Sequence, residues 1–326
     1  MLNTKKIIYS SIIYQITKEC NAKCRMCCES SSLNRSGKLD LNIILNSIDS
    51  IKDLKNIIYI GVTGGEPFLY IDDVFSISEH CKKLNRQFTV TTNAFWCKTH
   101  SYTYNTLKQL KNNNLTICFV STDAFHEEYV PIEYVKMFLR VCHDLRIAVK
   151  IQTSSTKSTF KRTEEIVNSL DDDKLYAEIL FAATYPVGMA KNNISPEDFY
   201  TRKLENAVCP YYHLLLVTSS GAVQPCCSPS CVGIPFDFGN INNDSIKDII
   251  KRINENELMR ILINEGFNRL INEAKRKLQF VELDEYVDTC HLCNQLLSNR
   301  DRFIYLNEKA RDWLQKEKAI ISEIVW

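Results

Sequence analysis

The chain has 326 residues, 45% hydrophobic and 24% charged, with 40 Lys and Arg against 39 Asp and Glu for a formal net charge of +1. That balance excludes a basic nucleic-acid stripe and an acidic tail, so no nucleic-acid partner is expected. The opening "MLNTKKIIYSSIIYQITKEC" holds no apolar run of signal-peptide length, and no segment approaches a membrane span, so a cytoplasmic protein without a membrane partner is expected.

In chain order, runs rich in Ile, Val, Phe, Tyr and Thr alternate with stretches of helical period. The runs at 11–17, 57–62, 88–92, 115–121, 147–153 and 177–184 have strand length and composition. Between the first two, Leu41, Ile44, Leu45, Ile48 and Ile51 fall on one helical face. Strands alternating with helices imply right-handed crossovers and a parallel sheet, and six such units suggest an open or partial barrel. In such sheets ligands bind beyond the C-terminal strand ends. The unusual loops fall there: "KECNAKCRMCCESSS" (18–32) after the first strand, "TGGEPF" (63–68) after the second and "TNAFW" (92–96) after the third. "STDAFH" (121–126) follows the fourth and "YPVGMA" (185–190) the sixth.

Residues 191–208 are polar and aperiodic and read as a linker. "YYHLLLVTSSGAVQPCC" then gives two strand-like runs around Ser-Ser-Gly, a hairpin signal. Two helical segments are expected near 244–256 and 257–278, then "DTCHLCNQLL", then a closing amphipathic helix. No internal repeat is present.

Fourteen cysteines in a chain read as cytoplasmic favour metal binding or redox chemistry over disulfides. Cys81, Cys97, Cys118 and Cys142 stand alone and suit small buried hydrophobes. Cys20, Cys24 and Cys27 have C-x3-C-x2-C spacing. Three thiolates on one loop can hold three irons of a cubane and leave the fourth iron open to a small molecule. Zinc also takes thiolates, so spacing alone leaves both metals in play. Cys28 directly follows Cys27 and could not easily turn to the same metal. Later, Cys226 and Cys227 are adjacent, and neighbours on an extended strand point to opposite faces.

Taken together, these motifs resemble the radical SAM superfamily. The resemblance implies an α/β fold: a partial (β/α)6 radical SAM barrel with a small C-terminal twitch/SPASM-like iron–sulfur domain. It implies a 4Fe-4S cluster on Cys20, Cys24 and Cys27, with S-adenosylmethionine on the open iron. Gly64, Gly65 and Glu66 match the loop for its methionine end, the two glycines letting backbone approach the ligand. Ser121 and Asp123 match the S-x-D pattern of the ribose contact, and Gly188 lies in a loop similar to the one near the adenine. Asn93 and Met26 complete the expected cofactor set, Met26 standing where the family usually has an aromatic residue. Cys209, Cys226, Cys290 and Cys293 resemble the ligands of an auxiliary 4Fe-4S cluster.

Over nearly its whole length the chain is similar to the YydG-type epipeptide epimerases, through "CNAKCRMCCESSS", "TGGEPFL", "NAFW", His126 three residues after Asp123, "PCCSP", "EGFNRL" and "CHLCNQLLSN". That resemblance implies conversion of L-residues of a ribosomally synthesised precursor peptide to D-residues, with Cys227 returning the hydrogen. It also implies a reductase partner such as flavodoxin or ferredoxin. The expected organisation is a radical SAM core at 1–190, a linker at 191–208, the auxiliary-cluster domain at 209–300 and a closing helix at 301–326. His213 stands where an acidic residue is expected, and Cys231 is an additional thiol more in keeping with a structural role than with replacing a ligand. His126 and Trp96 fall on the active rim, where either residue type is more often a packing group than a catalyst. Two rival readings stay open: a maturase forming thioether or carbon–carbon cross-links, and a zinc-stabilised binding protein.

Overall fold

All six strand-like runs form strands, and all pair in parallel. In the computed structural model, which describes residues 6–210 and 213–324, they are β1 (Ser11–Gln15), β2 (Tyr59–Thr63), β3 (Gln87–Thr92), β4 (Leu115–Ser121), β5 (Ala148–Ser155) and β6 (Ala177–Ala183). Helices α1 (Leu41–Asp49), α2 (Ile71–Lys83), α3 (His100–Asn112), α4 (Ile132–Asp144) and α5 (Phe160–Asn168) make the crossovers. Local chemistry sets the start of α1. Asp40 caps α1 by accepting from the N–H groups of Asn42 and Ile43, and Ile44 and Ile48 then fall on the buried face. Cys81, Cys97, Cys118 and Cys142 are all buried within the main core, as small hydrophobes would be.

The hairpin forms, but not as part of a separate sheet. A short helix, α6 (Ala190–Asn193), precedes it, and its strands are β7 (Leu214–Val217) and β8 (Val223–Gln224). β7 pairs in parallel with β1, so the eight-stranded sheet runs β6-β5-β4-β3-β2-β1-β7-β8. Leu215, Leu216 and Val217 are buried, and that apolar run fits a place inside the sheet. The expected boundary near 209 therefore does not divide the sheet. Residues 191–208 are more ordered than a linker: Phe199 is buried, and Arg202 exchanges two backbone hydrogen bonds with Tyr286.

The second expected late helix is two. After α7 (Ile246–Glu255) come α8 (Glu257–Asn264) and α9 (Asn268–Leu278), separated where the Phe267 N–H turns to the Ala207 carbonyl, at 3.2 Å. "DTCHLC" opens α10 (Thr289–Leu297), and α11 (Arg300–Ile324) closes the described chain, burying Leu306, Ala310 and Leu314. The last two residues of the expected closing helix, and Tyr211 and Tyr212 of "CPYYH", lie outside the described residues. Among the described residues no helix is long and apolar enough to cross a membrane.

Candidate functional site

Beyond the C-terminal ends of the parallel strands lies a cleft of about 320 Å³, drawing walls from the loops after β1, β2, β3 and β6 and from β4 and β5. Cys20, Cys24, Cys27, Met26, Gly64, Gly65, Glu66, Asn93 and Ser121 all line it. Cys20 and Cys24 are buried in a small apolar cluster with Ala22 and Phe125, against which Met26 and Cys27 pack. Burial pushes the Cys20 thiol up to about 12 and raises Cys24 also, with Asp123 adding to the latter. Two sulfurs already accept N–H donors: Ala22 N to Cys20 Sγ at 3.4 Å and Ser31 N to Cys27 Sγ at 3.4 Å.

The glycines act on protein rather than on open space. A Cβ on Gly64 would sit 2.7 Å from the Thr17 carbonyl oxygen, and one on Gly65 would overlap the Glu19 carbonyl. Their absence lets Gly65 N donate to Thr17 O and Glu66 N to Glu19 O, each at 2.8 Å, splicing the second loop to the root of the cysteine loop. Gly188 departs from the expectation too. It has φ of +56°, does not line the cleft, and a Cβ there would overlap the Cys28 carbonyl. With Met189 N donating to Cys27 O at 2.9 Å, the sixth loop clamps the cysteine loop from the other side.

Glu66 lines the cleft, yet its carboxylate is occupied by protein. Oε1 accepts from Phe68 N and Thr92 Oγ1, and Oε2 from Asn93 N at 2.7 Å. Burial outweighs these hydrogen bonds and pushes its pKa up to about 7. Asn93 donates through Nδ2 to Asn21 Oδ1 at 2.9 Å, bracing the cysteine loop. Asp123, too, is held by protein. Its carboxylate is wholly buried, does not line the cleft, and accepts from Phe125 N, His126 N, His126 Nδ1 and Ser154 N. Three of these donors reach Oδ1 and only Ser154 N reaches Oδ2. His126 faces the cleft instead, its Nδ1 fixed 2.9 Å from Asp123 Oδ1. Burial alone would lower the His126 pKa, but the adjacent carboxylate prevails and raises it. Trp96 is a packing residue, stacked on Phe68 at 4.3 Å.

A second, apolar cavity lies between the hairpin and α10. Cys209, Cys226, Cys290 and Cys293 line it together with Cys231. Cys290 and Cys293 share a face of α10, whose start Asp288 caps through Oδ1, accepting from Cys290 N and His291 N. Cys231 is thus no remote structural thiol. It shares a hydrogen bond with Cys226, which is held below the usual thiol range by that contact, and it donates to Gln224 Oε1 at 3.4 Å. Tyr9, buried beneath the hairpin, donates to the Pro225 carbonyl at 3.0 Å. His213 is exposed, and its carbonyl accepts from Ser10 N.

Cys227 does not line this cavity. Beyond burial, which takes its thiol up to about 12, the groups that raise it are Cys226 and Glu29. Cys28 in turn is raised by burial, Cys27, Glu29 and Cys227. Cys28 and Glu29 are cleft residues. Of the two adjacent cysteines, then, only Cys226 lines the auxiliary cavity, and Cys227 lies between that cavity and the cleft residues Cys28 and Glu29 without lining either chamber.

Sequence reasoning passed over Tyr185, Thr92, Asn21 and Asp288. Tyr185 stood inside a quoted motif, and Asp288 precedes the C-x2-C pair as an N-cap should.

The comparisons agree with this geometry. Residues 14–156 match the model of the Radical SAM superfamily, and residues 209–294 match SPASM, an iron–sulfur cluster-binding domain. YydG of Bacillus subtilis (strain 168), named for peptide biosynthesis, is 26% identical over 305 residues, covering 90% of this chain and 94% of its own. Among solved structures, Streptococcus suis SuiB bound to S-adenosylmethionine has a TM-score of 0.55 at 16% identity over 74% of this chain, which spans 65% of SuiB. SuiB bound to its precursor peptide SuiA gives 0.57 at 14% identity, over 75% of this chain and 65% of SuiB. BtrN in complex with AdoMet and 2-DOIA gives 0.51 at 17% identity, over 79% of this chain and 88% of BtrN.

The residues fit the groups these domains imply. Four cysteines, Cys20, Cys24, Cys27 and Cys28, line a cleft with room for an organic ligand beside them, and five line the second cavity. Cys20, Cys24 and Cys27 are the candidates to hold the first 4Fe-4S cluster, and the second cavity's thiols the auxiliary one. The chain thus joins a radical SAM domain over residues 14–156, which implies S-adenosylmethionine and a 4Fe-4S cluster, to a SPASM-type iron–sulfur domain over residues 209–294.

Proposed function

We propose that this protein is a peptide epimerase, inverting the α-carbon of L-residues in a ribosomally synthesised peptide. The observation that carries the reading is the split of the adjacent pair: Cys226 lines the auxiliary cavity, whereas the buried Cys227 does not and lies within electrostatic reach of the cleft residues Cys28 and Glu29. When bound, S-adenosylmethionine and its cluster supply an adenosyl radical that removes a hydrogen atom from the substrate. Cys227 then gives its S–H hydrogen to the planar α-carbon radical from the opposite face, forming a C–H bond of inverted configuration. The thiyl left behind returns to thiol by taking one electron and one proton, the electron coming ultimately from a donor such as flavodoxin or ferredoxin. A hydrogen donor must be protonated, and burial keeps the Cys227 thiol so at neutral pH.

A peptide substrate has further support. YydG is named for peptide biosynthesis, and SuiB was solved with a precursor peptide. The cleft is also open along β6, whose outer edge pairs with no strand among the described residues, and Ala182 to Tyr185 at its end line the cleft. An extended peptide has a place to lie there.

The test uses the reconstituted enzyme with the peptide encoded beside its gene, in deuterium oxide. Wild type adds one deuterium at each inverted α-carbon, while Cys227→Ala still releases deoxyadenosine but makes no D-residue. A product two hydrogens lighter would establish cross-linking instead. Normal epimerisation by Cys227→Ala would remove Cys227 from the role.

A further inference from the structure

The cleft and the auxiliary cavity are joined by one hydrogen-bonded chain. Tyr185, which follows β6, lines the cleft, and its hydroxyl donates to Asp288 Oδ2 at 2.5 Å. The other oxygen, Oδ1, accepts from Cys290 N at 2.8 Å and His291 N at 3.1 Å at the start of α10. Residues 185 and 288 are 103 positions apart in sequence, so this contact is a tertiary link rather than a local turn. Asp288 acts electrostatically on both cysteines of α10, and its carboxylate contributes to raising each thiol.

We infer that Tyr185 and Asp288 form a positioning pair that sets the reduction potential of the auxiliary cluster and ties it to the state of the substrate cleft. The inference rests on the second cavity being the auxiliary cluster site. A carboxylate beside a cluster disfavours adding an electron, and potentials of such clusters respond to local charge and hydrogen bonding. The Tyr185 hydroxyl draws off part of that charge by donating a hydrogen bond. Any group in the cleft that competes for this hydroxyl returns the charge to Asp288. Cleft occupancy then reaches the second site without movement of α10.

The two residues predict opposite shifts. Tyr185→Phe keeps the ring and removes the donor, so the auxiliary potential moves more negative. Asp288→Asn removes the charge, and Asn is as good an N-cap as Asp, so α10 keeps its start while the potential moves more positive. In the double variant, adding Tyr185→Phe to Asp288→Asn shifts the potential by much less than Tyr185→Phe does alone, since the charge it modulated is gone.

The experiment is anaerobic potentiometry of the reconstituted full chain, followed by electron paramagnetic resonance. A Cys20→Ala/Cys24→Ala/Cys27→Ala background isolates the auxiliary signal, and circular dichroism checks folding of each variant. Opposite shifts that collapse in the double variant establish the pair. Shifts of the same sign would show that α10 had merely been displaced, and unchanged potentials would show no electrostatic role; either overturns the inference while leaving the auxiliary site intact. Absence of any cluster signal in the triple-Ala background would overturn the auxiliary-site assignment itself.

Discussion

At the scale of the residue, the cleft is built by groups that hold other groups. Glu66 shows it best, because its three accepted hydrogen bonds fasten the second and third loops together. Burial moves its folded pKa from 4.5 to about 7. The unfolded chain therefore releases this proton at lower pH than the folded one. Stability attributable to Glu66 is fully present below pH 4.5, falls as pH rises toward 7, and is flat above. The whole effect is about 3 kcal/mol. In urea titrations of the apoprotein, the stability difference between wild type and Glu66→Gln should decline by that order between those limits. A difference independent of pH would mean that Glu66 is ionised throughout. The same holding logic explains what the sequence could and could not reveal. The S-x-D and His126 signals were legible, and so was their place at the end of β4. Which of the two acids and bases turns outward was not, because that depends on the backbone N–H of Ser154, a residue on the neighbouring strand.

At the scale of the element, strands and crossover helices were legible because local chemistry writes them: β-branched runs, apolar residues at helical spacing, an N-cap at Asp40. β7 as a hairpin strand was legible too, from Ser-Ser-Gly between apolar runs. Its second partner was not. Pairing of Leu214 with Ser11 joins residues far apart in sequence, and nothing in "LLLV" says whether it caps a small sheet or extends a large one. The break between α8 and α9 was hidden for a similar reason, since the Phe267 N–H finds its acceptor at Ala207. The hairpin's position is what places Cys226, and Tyr9 fastens it from below. Tyr9→Phe leaves the buried Pro225 carbonyl without its donor, at a cost of about 1 to 2 kcal/mol. The variant should unfold at lower temperature and surrender auxiliary iron to a chelator faster than wild type. An unchanged melting temperature with unchanged iron loss would show that the hairpin does not depend on this contact.

At the scale of the whole molecule, one continuous sheet leads to the Cys20 loop and to Cys226, while α10 brings Cys290 and Cys293 to the second cavity. β1 leads into the Cys20 loop on one side and pairs with β7, which leads to Cys226, on the other. The distribution of cysteines between a cleft triad, an auxiliary-cavity set, the proposed donor Cys227 and four core residues then makes a graded prediction about iron. The radical SAM and SPASM domains each account for about half of the iron if each site holds one four-iron cluster. Replacing Cys20, Cys24 and Cys27 together by Ala should remove about half the iron and sulfide of the anaerobically reconstituted protein, and replacing Cys209, Cys226, Cys290 and Cys293 should remove the other half. Cys227→Ala should keep it all, because that residue does not line the auxiliary cavity. Cys231→Ala is the informative case. Its thiol lines the cavity but is spent on Gln224 and Cys226, so full iron retention is expected. Loss of auxiliary iron in that variant would make Cys231 a ligand and displace one of the other four. Full retention in both Cys227→Ala and Cys231→Ala would leave four thiols for the auxiliary cluster and one free to serve the cleft, which is the division of labour that epimerisation requires.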